Sequence, residues 1–375
     1  TAFAGPYNPV DGSGWPKKLG VGTTASGAAG SLAMDDNGYL YVPSLDDNLR
    51  RFGPAPNPAV DCPDCDLYTA AQWPMFQYDV KHSGRNPNGA GHRAPITLWS
   101  KPTTTTSAPQ RTPVLGPVKT GYASGILYHT AGQFVLARDA ANGNELWRFD
   151  LGLLGNPSGG ASPALLLAAA NGVGVDDDTV YVIVGAKDGF LYALNANTGA
   201  MVWRIDLGLD ISKASPVIDG EGTIYVVEDT AANDRLHAVY NNGTRKWTRD
   251  LAAGTGASSP TLDVAAGRIY VGSGARIFAI TASNGSYVDD GILATLDWVT
   301  KIGAAPATPG LTIPAGLVNT TLVLSADNDD LWALNYVGYL YRINPVTGLV
   351  VDGNLALAGT QPMVTWRALA RWATA

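Results

Sequence analysis

Charge is scarce in this chain. Asp, Glu, Lys and Arg make up only 15% of its 375 residues, and the formal net charge is −7. A nucleic-acid binder needs a basic footprint to neutralise phosphates, and this balance does not offer one. Long apolar runs are also missing: nothing approaches the roughly 18 consecutive apolar residues of a membrane-spanning helix. The four histidines, at 82, 92, 129 and 237, are scattered. With no Gly-x-Ser-x-Gly elbow, no His-Glu-x-x-His pair and no phosphate loop, the common hydrolase, metalloprotease and nucleotide-binding signatures have no footing. Cysteine is limited to Cys62 and Cys65, and no Cys-x-x-Cys-His run provides for covalent haem.

Turn residues are abundant instead, with 44 glycines and 24 prolines, a turn-dense all-β composition. The stretch from Gly185 to Gly208 shows why. Lys187-Asp188-Gly189 is a tight-turn signal, Phe190 to Asn195 alternates as a half-buried strand does, and Asn197-Thr198-Gly199 is a second turn. Met201 to Leu207 is then a second strand, with Trp203 and Ile205 on one face. Similar units surround it. Ala161-Ser162-Pro163 and Thr179 to Val182 precede it. Ala214-Ser215-Pro216, Thr223 to Val226, Leu236 to Val239, Asn242-Gly243 and Trp247 follow it in the same order. Ser258-Ser259-Pro260, Arg268 to Val271, Ile277 to Ile280, Asn284-Gly285 and Trp298 repeat it again, and an earlier copy runs from Arg111-Thr112-Pro113 to Trp147. Pro113, Pro163, Pro216 and Pro260 stand 44 to 53 residues apart, the blade period of a propeller. A four-stranded unit cannot bury both faces alone, so neighbours must stack radially into a ring.

These motifs resemble the quinoprotein-type, or PQQ-like, repeat: Ser-Pro, a strand, Val-Tyr-Val-Gly, Asp-Gly, Leu-Tyr-Ala-Leu-Asn, Thr-Gly and Trp. Most of residues 111 to 300 matches, and Gly185 to Trp203 does so almost letter for letter. The resemblance implies an all-β propeller of four-stranded antiparallel blades. It does not imply chemistry, because the family holds both quinone-dependent dehydrogenases and non-catalytic scaffolds. The dehydrogenases are longer, with eight blades. They carry adjacent cysteines beside the cofactor, and a calcium or lanthanide held by acidic and amide side chains. This chain has no adjacent cysteine pair and few cations to grip quinone carboxylates, so PQQ is not expected, nor is any other cofactor.

Taken in order, residues 1–375 read as a single propeller domain of six blades, or seven if 304–351 splits. Trp15 to Gly20 resembles an outer strand without inner ones, so an N-terminal strand is expected to complete the last blade and close the ring. The chain begins at Thr1, as a cleaved export signal or a trimmed sequence would leave it. Ser31 to Phe52 supplies three strands of the first blade and Ile96 to Ser100 the fourth. Between them, 53–96 is a long insertion expected to lie over one face or the rim. Its Trp73-Pro-Met-Phe76…Asp79…His82-Ser-Gly-Arg85 resembles a segment that often precedes the ring in bacterial members of the family. Blades follow at 111–152, 161–208, 214–254 and 258–303. The last is assembled from Thr321–Ser325, Leu331–Tyr336, Tyr339–Asn344 and Leu349–Val351. A tail, 361–375, lies outside the repeats.

Candidate sites are few. In an exported protein Cys62-Pro-Asp-Cys65 most simply forms a local disulfide that pins the insertion. A zinc reading would need His82 and His92 at a spacing that matches no standard site. Acidic turns at Asp35-Asp36, Asp46-Asp47, Asp176 to Asp178 and Asp327 to Asp330 invite calcium, with Asp35, Asp36, Asp327 and Asp329 as weak candidates, or are plain solvated turns. Asn242, Asn284 and Asn319 head Asn-x-Ser/Thr sequons. Trp366, Leu369 and Trp372 in the tail, with Trp73 and Phe76 in the insertion, are candidate contact residues. The expectation is an exported, non-catalytic scaffold at the cell surface or in the periplasm. Its partners would be proteins or glycans. The alternatives are a self-associating subunit of an extracellular filament or surface assembly, or a quinoprotein enzyme.

Overall fold

Each repeat folds as a four-stranded antiparallel sheet whose strands lie side by side in chain order. The computed structural model describes residues 33–34, 40–43, 48–53, 73–84, 96–103, 111–154, 159–166, 180–230, 233–251, 258–274, 276–288, 299–301, 321–325, 327–334, 339–348 and 350–356. Among them are six such sheets, the blades of an all-β propeller. Blade one combines Ala33–Met34, Leu40–Pro43 and Asn48–Gly53 with Ile96–Pro102. Blade two is Val114–Leu115, Ile126–Ala131, Phe134–Asp139 and Glu145–Asp150. Blade three is Ala164–Leu166, Tyr181–Gly185, Phe190–Asn195 and Met201–Asp206. Blade four is Val217–Ile218, Ile224–Glu228, Arg235–Val239 and Arg245–Asp250. Blade five is Thr261–Asp263, Arg268–Ser273, Arg276–Thr281 and Val299–Lys301, and blade six is Val323–Leu324, Leu331–Leu334, Tyr339–Ile343 and Val350–Ala356.

Burial grades outward along each sheet. In blade three the first two strands are buried throughout, whereas Met201–Asp206 is mostly exposed. The Val-Tyr-Val type strands are therefore central strands, apolar on both faces, and the charge-bearing Trp strands form the outer rim. The four strands of blade six all come from 321–356, and Val350–Ala356 fills its outer position. Trp15 to Gly20, the expected closing strand, lies outside the described residues.

What joins neighbouring blades is a repeated contact. In blades one to four the outer strand bulges beside its tryptophan; in blade three the register shifts opposite Ala193 and Leu194, next to Trp203. The bulge re-aims the indole toward the following blade. There the ring lies on the glycine of the turn between the third and fourth strands. A Cβ on Gly143 would stand 2.7 Å from Trp99, one on Gly199 2.7 Å from Trp147, one on Gly243 2.7 Å from Trp203 and one on Gly285 2.6 Å from Trp247. Each indole N–H donates to a carbonyl of the same turn: Trp99 to Ala140 at 3.1 Å, Trp147 to Ala196 at 2.9 Å, Trp203 to Asn241 at 3.1 Å and Trp247 to Ala282 at 3.0 Å. Nearer the axis a hydroxyl of the next blade accepts from the previous backbone, Ser162 from Thr112 N at 3.1 Å and Ser259 from Ser215 N at 2.9 Å.

Gly243 combines a φ of +82° with this close approach, so a side chain is penalised twice. Gly243→Ala and Trp203→Ala are each expected to destabilise the protein by about 2–4 kcal/mol. The double variant should cost clearly less than the sum, because both remove one contact. Urea midpoints of the four proteins measure this, and strict additivity would disprove the coupling.

Candidate functional site

The axis is where a propeller has room, and here the protein's own chain occupies it. The insertion emerges from blade one at the end of the sheets that carries the first-to-second and third-to-fourth strand connections. Its segment 73–84 does not lie over a face or the rim, as the sequence led one to expect. It runs against the innermost strands. Trp73 forms a two-way bridge with Leu115, Trp73 N to Leu115 O at 3.1 Å and Leu115 N to Trp73 O at 2.8 Å. Leu165 N donates to Pro74 O at 2.8 Å, Leu262 N to Val80 O at 2.8 Å and Leu324 N to Lys81 O at 3.1 Å. Inner-strand amides of blades two, three, five and six thus bind successive carbonyls of one plug. The side chains complete the ring: Met75 and Val80 join the core of blades three to five, including Val217 and Ile218 of blade four, and Trp73 joins that of blades one and two. The physical reason is that inner strands have one unpaired edge, and buried backbone donors need partners.

The plug is a tight, strained structure. Gln77, Tyr78 and His82 have φ of +56°, +78° and +57°, conformations that non-glycine residues adopt at a cost. Asp79 holds the turn by accepting from Lys81 N and Ser83 N, both at 3.0 Å, and from the Ser83 hydroxyl at 2.5 Å. The buried ring of His82 faces two carbonyls, Phe76 O from Nδ1 at 3.0 Å and Pro260 O from Nε2 at 2.6 Å. A neutral imidazole can donate to only one of them. Burial, the largest influence, holds its pKa below the ordinary value, against the pull of the two carbonyls and Asp79.

A second polar cluster sits in blade four. Glu228, fully enclosed, accepts from Leu209 N at 2.8 Å and from Arg235 at 3.1 Å. His237 bridges Glu228, at 3.1 Å from Nε2, and the exposed Thr248 hydroxyl, at 2.9 Å from Nδ1. Burial pushes the Glu228 pKa up, but the hydrogen bonds from His237 and Leu209 and the charge of Arg235 outweigh it and leave it lowered. In blade three the corresponding register positions are Ala186 and Tyr192, so the pair exchanges a small and a large residue for two middle-sized ones. His237 in place of the Tyr of Leu-Tyr-Ala-Leu was the signal available in the sequence. His129, also buried, accepts from Arg138 at 3.3 Å; burial and then the Arg138 charge lower its pKa to about 3.

The remaining sequence candidates are dispersed. Trp73 was read as a contact residue, but it is 2% exposed and belongs to the core; Phe76 is half-buried and meets His82 edge-on, ring centroids 5.7 Å apart. Asp327 accepts from Ser325 at 2.5 Å and Asp329 N at 3.2 Å, so its carboxylate caps its own turn. Among the described residues no group of three or more His, Cys, Asp or Glu is placed to hold a metal, and no helix is long and apolar enough to cross a membrane. Asn242 and Asn284 are exposed at turn tips. Cys62, Cys65, Asp35, Asp36, Asn319, Trp366, Leu369 and Trp372 lie outside the described residues.

Comparison with known proteins supports the repeat assignment. Residues 131–307 match the profile of a PQQ-like repeat family described as outer membrane protein assembly factor BamB. The curated BamB of Shewanella oneidensis is 24% identical over 228 residues, covering 57% of this chain and 50% of that protein. That of Moranella endobia is 26% identical over 219 residues, with the same coverages. The chain thus spans about half the length of the curated relatives it matches. The crystal structure of BamB from Moraxella catarrhalis covers 88% of this chain and 78% of its own, with 14% identity and a TM-score of 0.50, a likeness of fold.

The histidines set a pH dependence. His82, His129 and His237 all have folded pKa values below 6.5. Their contribution is therefore complete above that pH and is lost as pH falls, because the unfolded chain then takes up protons that the folded one refuses. Each contributes a slope of up to about 1.4 kcal/mol per pH unit, for His129 down to about pH 3. Urea midpoints should drop steadily from pH 6.5 to 4, and His129→Gln should show a shallower decline. An equal slope in that variant would refute the assignment.

Proposed function

We propose that this chain, a β-propeller built of PQQ-like repeats, is an exported scaffold that works by binding proteins rather than by catalysis. One observation carries the reading: segment 73–84 fills the axis with backbone bonds to the inner strands of four blades. A deep site for a small molecule is thereby taken by the protein itself, and the turn-bearing faces and outer rims are what remains to present. The names of the relatives, assembly factors of outer membrane proteins, support a protein partner and a place in the cell envelope, in the periplasm or at the cell surface.

The face where the plug enters suits such a role. Val118, Tyr240, Val264 and Val346 stand on connections at that end of blades two, four, five and six, and are 45–60% exposed. Large apolar side chains exposed on one face are surface that a protein partner can cover.

A second reading, assembly of the chain with copies of itself, draws on the outer edge of blade three. Met201 and Val202 are 44% and 45% exposed there, where the outer strands of blades two and four begin with Glu145 and Arg245. A strand edge that opens on two uncharged residues invites pairing with another chain there.

One experiment separates these readings. A photo-crosslinking residue is placed at Val118, Val264 or Met201 in the native cell, and the adducts are identified by mass. Discrete adducts with another envelope protein from the face positions are the expected result; adducts with a second copy, concentrated at Met201, would establish the second reading. Dye-linked alcohol or sugar oxidation by the purified protein, with no adduct at any position, would overturn both.

A further inference from the structure

The turns between third and fourth strands recur around the ring, and comparing them isolates two that are built differently. Those of blades two to five end in a glycine of positive φ on which the preceding tryptophan rests: Gly143, Gly199, Gly243 and Gly285. Blades two, four and five place an asparagine just before that glycine: Asn142, Asn242 and Asn284. In each the side-chain oxygen caps the turn, accepting from Asn144 N at 2.8 Å, Thr244 N at 3.0 Å and Ser286 N at 2.9 Å. The turn therefore needs a side-chain oxygen just before its glycine, supplied in blade three by Thr198, which accepts from Ala200 N at 3.3 Å, and it forms with either asparagine or a hydroxyl residue two places on.

The difference lies in the amide nitrogen and the hydroxyl. Asn142 spends its Nδ2 on Asp139, at 2.6 Å. Among the described residues no such bond holds the amides of Asn242 and Asn284, which are exposed at the tips. Beside them the Thr244 and Ser286 hydroxyls donate to the asparagine Oδ1 at 2.7 and 2.5 Å. A hydroxyl proton on Oδ1 withdraws electron density from the amide carbonyl and favours the imidic form, in which Nδ2 gains a nucleophilic lone pair. Both residues also head Asn-x-Ser/Thr sequons, without proline at the middle position, as a glycan acceptor requires.

We propose that Asn242 and Asn284 are N-glycan acceptors, decorating the plug-entry face of blades four and five. The donor class is a polyprenyl-phosphate-linked or pyrophosphate-linked sugar. The Nδ2–C1 bond forms as the sugar C1–O bond breaks; the lipid phosphate leaves with the electron pair, and one Nδ2 proton passes to a base of the transferase. No redox change is involved. The two sites are equivalent positions of adjacent blades, so the glycans would stand side by side on the face that carries Tyr240 and Val264, as part of the surface a protein partner meets there. The inference rests on the export part of the proposed function.

The test is peptide mass spectrometry on protein taken from its native cells, with the cell fraction recorded. A hexose-bearing or longer mass increment on the Asn242 and Asn284 peptides, and none on the Asn142 peptide, is expected. Asn242→Gln and Thr244→Ala should each abolish the increment at 242 while leaving that at 284, and Thr244→Ser should retain it. Exported protein with unmodified peptides would overturn the glycan proposal and leave export standing. Protein confined to the cytoplasm would overturn both, and a glycan at Asn142 would show that the free amide and hydroxyl do not decide the site.

Discussion

Everything in this molecule depends on an indole lying flat on a glycine. A four-stranded blade is apolar on both faces and cannot stand alone, so the ring exists only as far as each blade grips the next. Trp99, Trp147, Trp203 and Trp247 supply that grip in the same way: a β-bulge turns the ring outward, a glycine without Cβ lets it approach, and the indole N–H satisfies a carbonyl of the receiving turn. Contact area, backbone conformation and a hydrogen bond are all engaged at one point. This explains why Asn-Gly or Thr-Gly and Trp recur in the sequence at blade spacing: each glycine is fixed by a tryptophan of the blade before it.

The plug extends the same logic to the inner edge. Strands at the axis have amides with no neighbour, and Trp73 to Lys81 provides carbonyls at positions where four different blades can use them. The strain at Gln77, Tyr78 and His82 is tolerated because so many separate contacts hold the segment. Blades joined outside by four tryptophans and inside by a plug make a stiff body, and stiffness favours presenting a surface. The acid sensitivity set by the buried histidines fits the same picture, since His82 belongs to the plug and His129 and His237 sit inside blades.

Much of the blade plan was legible in the primary structure. The strands assigned around Phe190 to Asn195 and Met201 to Leu207 coincide with Phe190–Asn195 and Met201–Asp206, and the outer strand of blade one was recognised across a gap of more than forty residues at Ile96–Pro102. Local periodicity sufficed because each blade is made of consecutive strands. The insertion was located in sequence but misplaced in space: Trp73 and Phe76 look like exposed anchors in a segment without alternation, and no local pattern says that their environment is the inner edges of remote blades. The cluster of Glu228, His237 and Arg235 was likewise half seen, since His237 stood out against the repeat's Tyr while Glu228 did not.

The chain by itself thus determined the architecture, because a repeat encodes its strands, turns and docking glycine within about fifty residues. It also determined the sequons, which are three letters long. Tertiary structure alone decided that the axis is filled, that Trp73 is core rather than surface, and that Asn142 spends an amide which Asn242 and Asn284 keep. These are facts about partners distant in sequence, Trp73 with Leu115 and His82 with Pro260, and only closure of the ring brings such pairs within hydrogen-bonding distance.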